Sequence, residues 1–166
     1  QIERQKHKAA KEDKLKQLSE IFSTILLSFD FPNLYEAYID TKSYLPHVRG
    51  RKYRDLGSLG AVTLITMAYY LSVMICSEEQ TGNHLGLLMI DTPRKNLGAS
   101  STSTEFRDEK IYESIINYFL QLGKECENDF QLIIVNNGYP SDFPRDYVVK
   151  EFSFDGLIDD YNVTDE

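Results

Sequence analysis

The sequence predicts an α/β fold with a mostly parallel sheet flanked by helices. Two apolar runs, residues 85–90 and 132–135, each end in polar residues, as buried parallel strands do at a sheet edge. A segment with helical periodicity separates them, and the order strand, helix, strand is the one that parallel sheets require. A third run, residues 59–75, is apolar on nearly all sides and predicts a buried helix beside the sheet.

Residues 1–28 predict a single helix whose character changes partway. Charged residues dominate as far as Lys14. Because Lys8 and Lys11 would occupy the seam positions in this part, the sequence predicts a solvated helix or the end of a longer helix. Beyond Lys14, apolar residues recur with the 3-4-3 spacing of a packing seam. They are Leu15, Leu18, Phe22 and Ile25.

The next segment predicts a hairpin and then the start of a second helix. Residues 34–40 and 43–48 form two short strands joined by a turn, and residues 49–54 form a basic loop. Gly57 and Ser58 supply a helix start, because a serine hydroxyl can cap the free N–H groups of the first turn. We expect this helix to end near Ile75.

A capping-box pattern at residues 102–105 opens a helix that we expect to reach about Cys126. After the next strand and a turn at residues 138–144, residues 147–154 alternate well enough to predict a further strand near the sheet edge. The predicted buried face of the helix consists of Ile111, Ile115, Phe119 and Leu122.

Composition bounds the class of protein. The 166 residues, 42% of them hydrophobic, suffice for one domain with a sizeable core, and the net charge of −8 argues against a surface that binds nucleic acid throughout. Cys76 and Cys126 suggest a reduced intracellular chain, so the cytoplasm is expected. Residues 59–75 are barely long enough to cross a bilayer and include polar residues, so a core helix and no membrane contact are expected. The initial Gln1 suggests a fragment or a processed chain.

Four segments resemble, in order, the C-terminal half of the ATPase head of an SMC-like protein of the ABC ATPase superfamily. They are the turn at 56–60, the strand ending at Asp91, the loop at 93–98 and the strand ending at Asn136 and Asn137. The resemblance implies the C-terminal lobe of a P-loop, ABC-type head. It also implies a division into a coiled-coil root at 1–28, the lobe at 29–154 and an acidic tail at 155–166.

The turn that precedes the apolar helix resembles the family's signature motif. Ser58 and Gly60 match it, whereas Leu59 stands where the family has its first glycine. In the family, this helix N-terminus approaches the γ-phosphate of an ATP held by a second subunit. An ordinary capped core helix is the alternative account of the same residues.

The strand that ends at Asp91 resembles the Walker B motif, which implies that Asp91 holds Mg²⁺ through its water shell. The family's next residue is normally a glutamate that polarises the attacking water, and here it is Thr92. A threonine hydroxyl cannot act as a general base at neutral pH and can only orient a water. Slow hydrolysis, a base from elsewhere, and an ATP-bound clamp with little turnover are all open.

Two further segments occupy positions that face nucleotide or partner in the family. Asn96 and Leu97 lie at the D-loop position and would face the partner subunit. Asn137 lies at the switch position, where its amide could hydrogen-bond the γ-phosphate or its water. The run from Asn136 to Gly138 is also a good turn sequence.

No phosphate-loop motif occurs among these residues, so the chain alone should not bind ATP tightly. The resemblance implies an N-terminal phosphate-loop half of the same protein, a second head as homodimer partner, and DNA and accessory subunits in genome maintenance, repair or defence against foreign DNA, with ATP and Mg²⁺ as cofactors. Ser58 and Asp91 should then lie at the same edge of one sheet, at its carboxyl ends, but face different nucleotide sites. The alternative is a non-enzymatic α/β interaction module with a coincidental Walker-B-like strand. A stand-alone hydrolase or transferase is disfavoured because no nucleophile elbow, carboxylate pair or metal-ligand spacing is visible.

Overall fold

The computed structural model describes residues 2–79, 84–94, 96–97, 104–106, 109–125 and 130–151. Three helices and five short strands make up the regular structure of this part of the chain. In chain order, they are α1 (Ile2–Ser28), β1 (Tyr38–Ile39), β2 (Pro46–Val48), β3 (Arg51–Lys52), α2 (Leu59–Glu79), β4 (Leu87–Asp91), α3 (Glu109–Glu125) and β5 (Gln131–Val135).

The strands form one parallel pair and one small antiparallel sheet. β4 and β5 run parallel with Leu87 opposite Gln131 and Asp91 opposite Val135, which confirms the predicted strand, helix, strand unit. β1 and β2 pair antiparallel, so the hairpin is confirmed with shorter strands than expected. β3 pairs with β2 and takes up part of the predicted basic loop. The fold is thus mixed α/β with small sheets.

The core lies where α1, α2 and α3 meet the inner face of the parallel pair. α1 and α2 pack against each other, and the buried residues of α1 begin at Leu15. The predicted seam of α1 is confirmed, because Leu15, Phe22 and Ile25 are buried and Leu18 packs against them. The predicted face of α3 is buried as well, and Phe29 at the end of α1 meets Phe119 edge to face at 6.2 Å between ring centroids.

α2 is the one described helix that is long and apolar enough to cross a membrane, over Leu59–Ser77 with a mean hydropathy of 1.9. Half of that segment is buried inside the protein. Its contacts with α1 and β4 fit the core helix that the sequence predicts.

The predicted strand at residues 147–154 is wrong over the part that the structure describes. A 3₁₀ turn covers Arg145–Tyr147, and residues 148–151 are extended without a strand partner. The side chain of Val149 is 97% exposed, so the alternation there does not bury one face against a sheet. Residues 152–166, including the acidic tail, lie outside the described residues.

The helix predicted from the capping box begins later than expected. A 3₁₀ turn covers Thr104–Phe106, and α3 starts at Glu109. Residues 99–103, which hold the first part of that pattern, lie outside the described residues.

Candidate functional site

Asp91 is the last residue of β4 and lies at the carboxyl end of the parallel pair. Its neighbour in register is Val135, the last residue of β5, and its side chain is exposed. The preceding Ile90 is buried and fixes the strand in the core. Because parallel strands end at the same edge, the residues that follow β4 and β5 emerge side by side.

Thr92 continues the ladder and turns the chain away from the sheet. Its N–H donates to the carbonyl of Val135 at 2.7 Å, and its hydroxyl donates to Oδ1 of Asp91 at 2.8 Å. Its φ of 52° lies in the left-handed region. The hydroxyl that sequence analysis assigned to orienting a water therefore binds the Asp91 carboxylate.

The amides that follow β5 have different environments. Asn136 donates from Nδ2 to the Gly138 carbonyl at 2.6 Å and to the Tyr112 hydroxyl, which itself donates to Gly138 at 3.0 Å. Oδ1 of Asn136 is buried and has no hydrogen-bond partner among the described residues. Asn137 is exposed. The side-chain amide of Asn136 is thus fixed by hydrogen bonds, whereas that of Asn137 is exposed. Both residues lie next to the edge that carries Asp91.

Tyr112 is a site residue that sequence reasoning missed. It sits one position beyond Ile111 on α3, and burial raises the pKa of its hydroxyl above the ordinary value of 10.0. The guanidinium of Arg94 lies 5.1 Å from the Tyr112 ring centroid, and its Nη2 is 2.7 Å from Oε2 of Glu109. No sequence pattern joins these residues, because their contacts depend on how α3 packs beside β5.

The first turn of α2 lies against the loop that follows Asp91. Ser58 caps it weakly, with Oγ 3.4 Å from the N–H of Ala61. A Cβ placed on Gly60 would lie 2.8 Å from the carbonyl oxygen of Asn96 and 2.8 Å from Cβ of Phe106. Glycine is therefore required at 60 for packing within the chain, independently of any phosphate.

The loop after Asp91 folds back onto the core. Leu97 is fully buried, and its N–H donates to the Arg94 carbonyl at 3.0 Å. Asn96, with a φ of 64°, is partly exposed. Leu97 thus faces inward and anchors the loop, which differs from the expected outward position, whereas Asn96 is the partly exposed residue of this pair.

A groove of about 390 Å³ runs between α2 and β4 and ends at Asp91. The outer face of the parallel pair is open beside it, with Leu87 44%, Met89 64% and Val135 51% exposed. Parallel sheets are almost always covered on both faces. The residues that line the groove are Val62, Thr63, Thr66, Met67, Tyr70, Leu88, Met89, Ile90, Asp91, Thr92 and Pro93.

The basic segment at 49–54 is only partly available for binding. The Arg49 side chain is 18% exposed, pairs with Glu105 and bonds backbone carbonyls of the loop after α1. Arg54 stacks on Tyr53 with its guanidinium carbon 5.3 Å from the ring centroid. Arg51 and Lys52 are exposed on β3.

The described residues contain no group of three or more His, Cys, Asp and Glu side chains that could hold a metal ion. Asp91 is a single exposed carboxylate, which suits Mg²⁺ only when phosphates and water supply the remaining ligands. Asp91 could therefore supply one ligand to a cation, but the described residues could not hold an ion without other ligands.

A scan against protein-family models and a search of curated proteins give no match for this sequence. The assignment of a function accordingly rests on the residues and their geometry.

Proposed function

We propose that this chain is the C-terminal part of an SMC-like ATP-binding and hydrolysing head, which dimerises around ATP to control a cytoplasmic machine that acts on DNA. The observation that carries the proposal is the shared edge of β4 and β5. Asp91 ends β4 and Asn136 follows β5 there, and the first turn of α2 lies against the loop that follows Asp91.

The open outer face of β4 and β5 supports a missing partner half. Among the described residues, the parallel sheet has two strands, and Leu87, Met89 and Val135 are exposed on it, whereas parallel sheets are normally larger and covered on both faces. A phosphate-loop half would cover that face and supply the phosphate-binding loop, which this sequence lacks. α1 would then be the root of a coiled-coil arm, since residues 7–14 are exposed along the helix.

Within such a head, each candidate residue has a specific task. Asp91 would hold Mg²⁺ through water, and Asn137 would contact the γ-phosphate. Ser58 and the N–H groups of the first turn of α2 would meet the nucleotide of the second head. Mg²⁺ would neutralise phosphate charge there.

The test uses the chain joined to a phosphate-loop half, supplied by co-expression. A fluorescent ATP analogue is titrated with Mg²⁺ into the joined head and into the chain alone. We expect tight binding by the joined head only, and Asp91→Asn should weaken it roughly tenfold or more, which corresponds to about 1.4 kcal/mol. Asp13→Asn, on the exposed part of α1, is the matched control and should change nothing.

The alternative, a non-enzymatic α/β interaction module, is supported by the same open sheet face. It predicts a different result in this experiment. If the partner half assembles with the chain but Asp91→Asn leaves the nucleotide affinity unchanged, the chain acts in assembly alone. That result would overturn the Mg²⁺ role of Asp91.

A further inference from the structure

The backbone of Thr92 is in a conformation that its side chain disfavours. A φ of 52° is unusual for any residue with a branched Cβ. Pro93 follows, and a residue before proline is normally restricted to extended conformations. Conformations of this kind persist only where the surrounding structure holds them, and they concentrate at functional sites.

Two hydrogen bonds hold Thr92 in this position. The N–H binds the Val135 carbonyl at 2.7 Å, which ties the turn to the end of β5. The hydroxyl binds Oδ1 of Asp91 at 2.8 Å, which ties the carboxylate to the turn. The turn therefore joins the carboxylate of β4 to the end of the neighbouring strand.

We propose that Thr92 is a positioning residue that fixes the Asp91 carboxylate in one orientation for the magnesium nucleotide. This inference rests on the proposed function. Mg²⁺ demands near-ideal octahedral geometry, so a carboxylate that binds it or its water gains from being held in advance. Hydrogen bonds to metal-binding carboxylates commonly set their orientation.

The threonine at position 92 also makes slow turnover the expected behaviour of the site. The Thr92 hydroxyl donates its hydrogen to Asp91 and can still accept a hydrogen bond from a water, but it cannot take that water's proton at neutral pH, and no carboxylate replaces it at this position. A head built this way binds ATP and stays closed around it for longer than one with a glutamate after the Walker B aspartate.

The first experiment measures the orientation of Asp91 in the chain without nucleotide. Three-bond NMR couplings to the Asp91 carboxyl carbon report its χ1 rotamer. We expect one rotamer in the wild type and in Thr92→Ser, which keeps the hydroxyl, and averaged couplings in Thr92→Val, which removes it. Thr24→Val is the matched control, because Thr24 also donates its hydroxyl, at 2.9 Å to the Glu20 carbonyl, but lies on α1.

The second experiment measures Mn²⁺ binding by electron paramagnetic resonance in the joined head with ATP. Thr92→Val should bind Mn²⁺ roughly tenfold or more weakly than the wild type, and Thr92→Ser should restore the affinity. If Thr92→Val does not fold, Thr92→Ala removes the hydroxyl without the branched side chain.

The two experiments test separately whether Thr92 orients Asp91 and whether the joined head binds a metal ion with ATP. A single Asp91 rotamer in Thr92→Val, or equal Mn²⁺ affinity of Thr92→Val and the wild type, overturns the positioning role. If the wild-type joined head binds no Mn²⁺ with ATP, the proposed function fails, and the metal role of Thr92 fails with it. The rotamer measurement in that case still decides whether Thr92 orients Asp91.

Discussion

Gly60 lies where the first turn of α2 touches two other segments of the chain. The position of its missing Cβ is within 2.8 Å of a backbone oxygen of Asn96 and of Cβ of Phe106. Neither atom belongs to the flexible end of a side chain. This glycine therefore sets how closely α2 can approach the loop that follows Asp91.

Gly60→Ala should destabilise the chain by about 1–3 kcal/mol, because the added methyl group forces α2 and the loop apart. Chemical denaturation measures the change. Gly123→Ala is the matched control, since its Cβ would meet nothing nearer than 4.0 Å and alanine favours the interior of α3. Equal losses of unfolding free energy in Gly60→Ala and Gly123→Ala would show that the packing around Gly60 can accept a methyl group.

Thr92→Gly tests the backbone strain separately from the hydroxyl. Glycine adopts the left-handed region without penalty, so we expect a net gain of about 1 kcal/mol in unfolding free energy, after its own entropic cost. In the joined head, the same variant should bind Mn²⁺ more weakly. Loss of stability in Thr92→Gly would contradict the assignment of strain to Thr92.

Single residues of the site were only partly predictable. Asp91 could be found because an apolar run ends there, and buried strands deliver polar residues to sheet edges. The inward position of Leu97 and the bonds of Asn136 to Tyr112 could not, because they depend on the packing of a loop and of α3. The hydrogen bond from the Thr92 hydroxyl to Asp91 could not be predicted either, because it occurs where Thr92 adopts a left-handed backbone conformation before Pro93.

At the scale of elements, Arg49 and Glu105 tie the hairpin to the 3₁₀ turn before α3. Arg49 pairs with Glu105, lies over the Phe31 ring at 5.3 Å and bonds the carbonyl of Asn33 at 3.2 Å. Phe31 in turn meets Phe106 edge to face, with ring centroids 5.7 Å apart. The end of α1, the hairpin and the segment that packs on Gly60 are therefore joined.

Glu105→Gln should lower the unfolding free energy by about 2 kcal/mol at neutral pH, because it leaves Arg49 half-buried without its charged partner. Burial acts to raise the pKa of Glu105, but hydrogen bonds from Arg49 and Asn33 outweigh it and hold that pKa below its ordinary value of 4.5. The stabilisation is thus present above pH 4.5 and is lost as pH falls through the lowered pKa.

The measurement is urea unfolding at neutral and at acidic pH. The difference between the wild type and Glu105→Gln should shrink once Glu105 is protonated. Glu113→Gln, an exposed glutamate on α3, is the control for removing one negative charge. Equal unfolding free energies of the two variants at both pH values would show that the ion pair between Arg49 and Glu105 does not stabilise the protein.

Elements with strong periodicity were predictable, and those that depend on a neighbour were not. The faces of α1 and α3 follow from 3.6-residue spacing, which a helix realises wherever it packs. The alternation at residues 147–154 does not by itself produce a strand, because a strand must pair with a neighbouring strand. No described strand pairs with residues 147–151.

At the scale of the whole molecule, the parallel pair has one face that the described residues leave open. Its inner face packs on the helices, while its outer face exposes Leu87, Met89 and Val135. Exposed apolar side chains grouped on one sheet face mark an interface. The general α/β class was predictable from the order of the elements, whereas the open face became visible only when the exposure of each strand residue was known.

Met89→Lys should leave the chain folded, because that side chain is already 64% exposed, and should prevent assembly with a phosphate-loop half. Analytical ultracentrifugation of the co-expressed halves measures the loss of the complex. Leu27→Lys, a substitution at another exposed apolar residue, 62% exposed on α1, is the matched control and should assemble normally. Assembly of Met89→Lys at wild-type affinity would place the interface elsewhere.

A paramagnetic ion can locate the proposed metal site directly. In the joined head with ATP, Mn²⁺ replaces Mg²⁺, and paramagnetic broadening of backbone amide signals is mapped along the chain by NMR. We predict that the strongest broadening falls on residues 91–92 and 136–137, which share one edge of the parallel pair. Broadening centred on the acidic residues 155–166, with none at Asp91, would contradict the proposed ATP site.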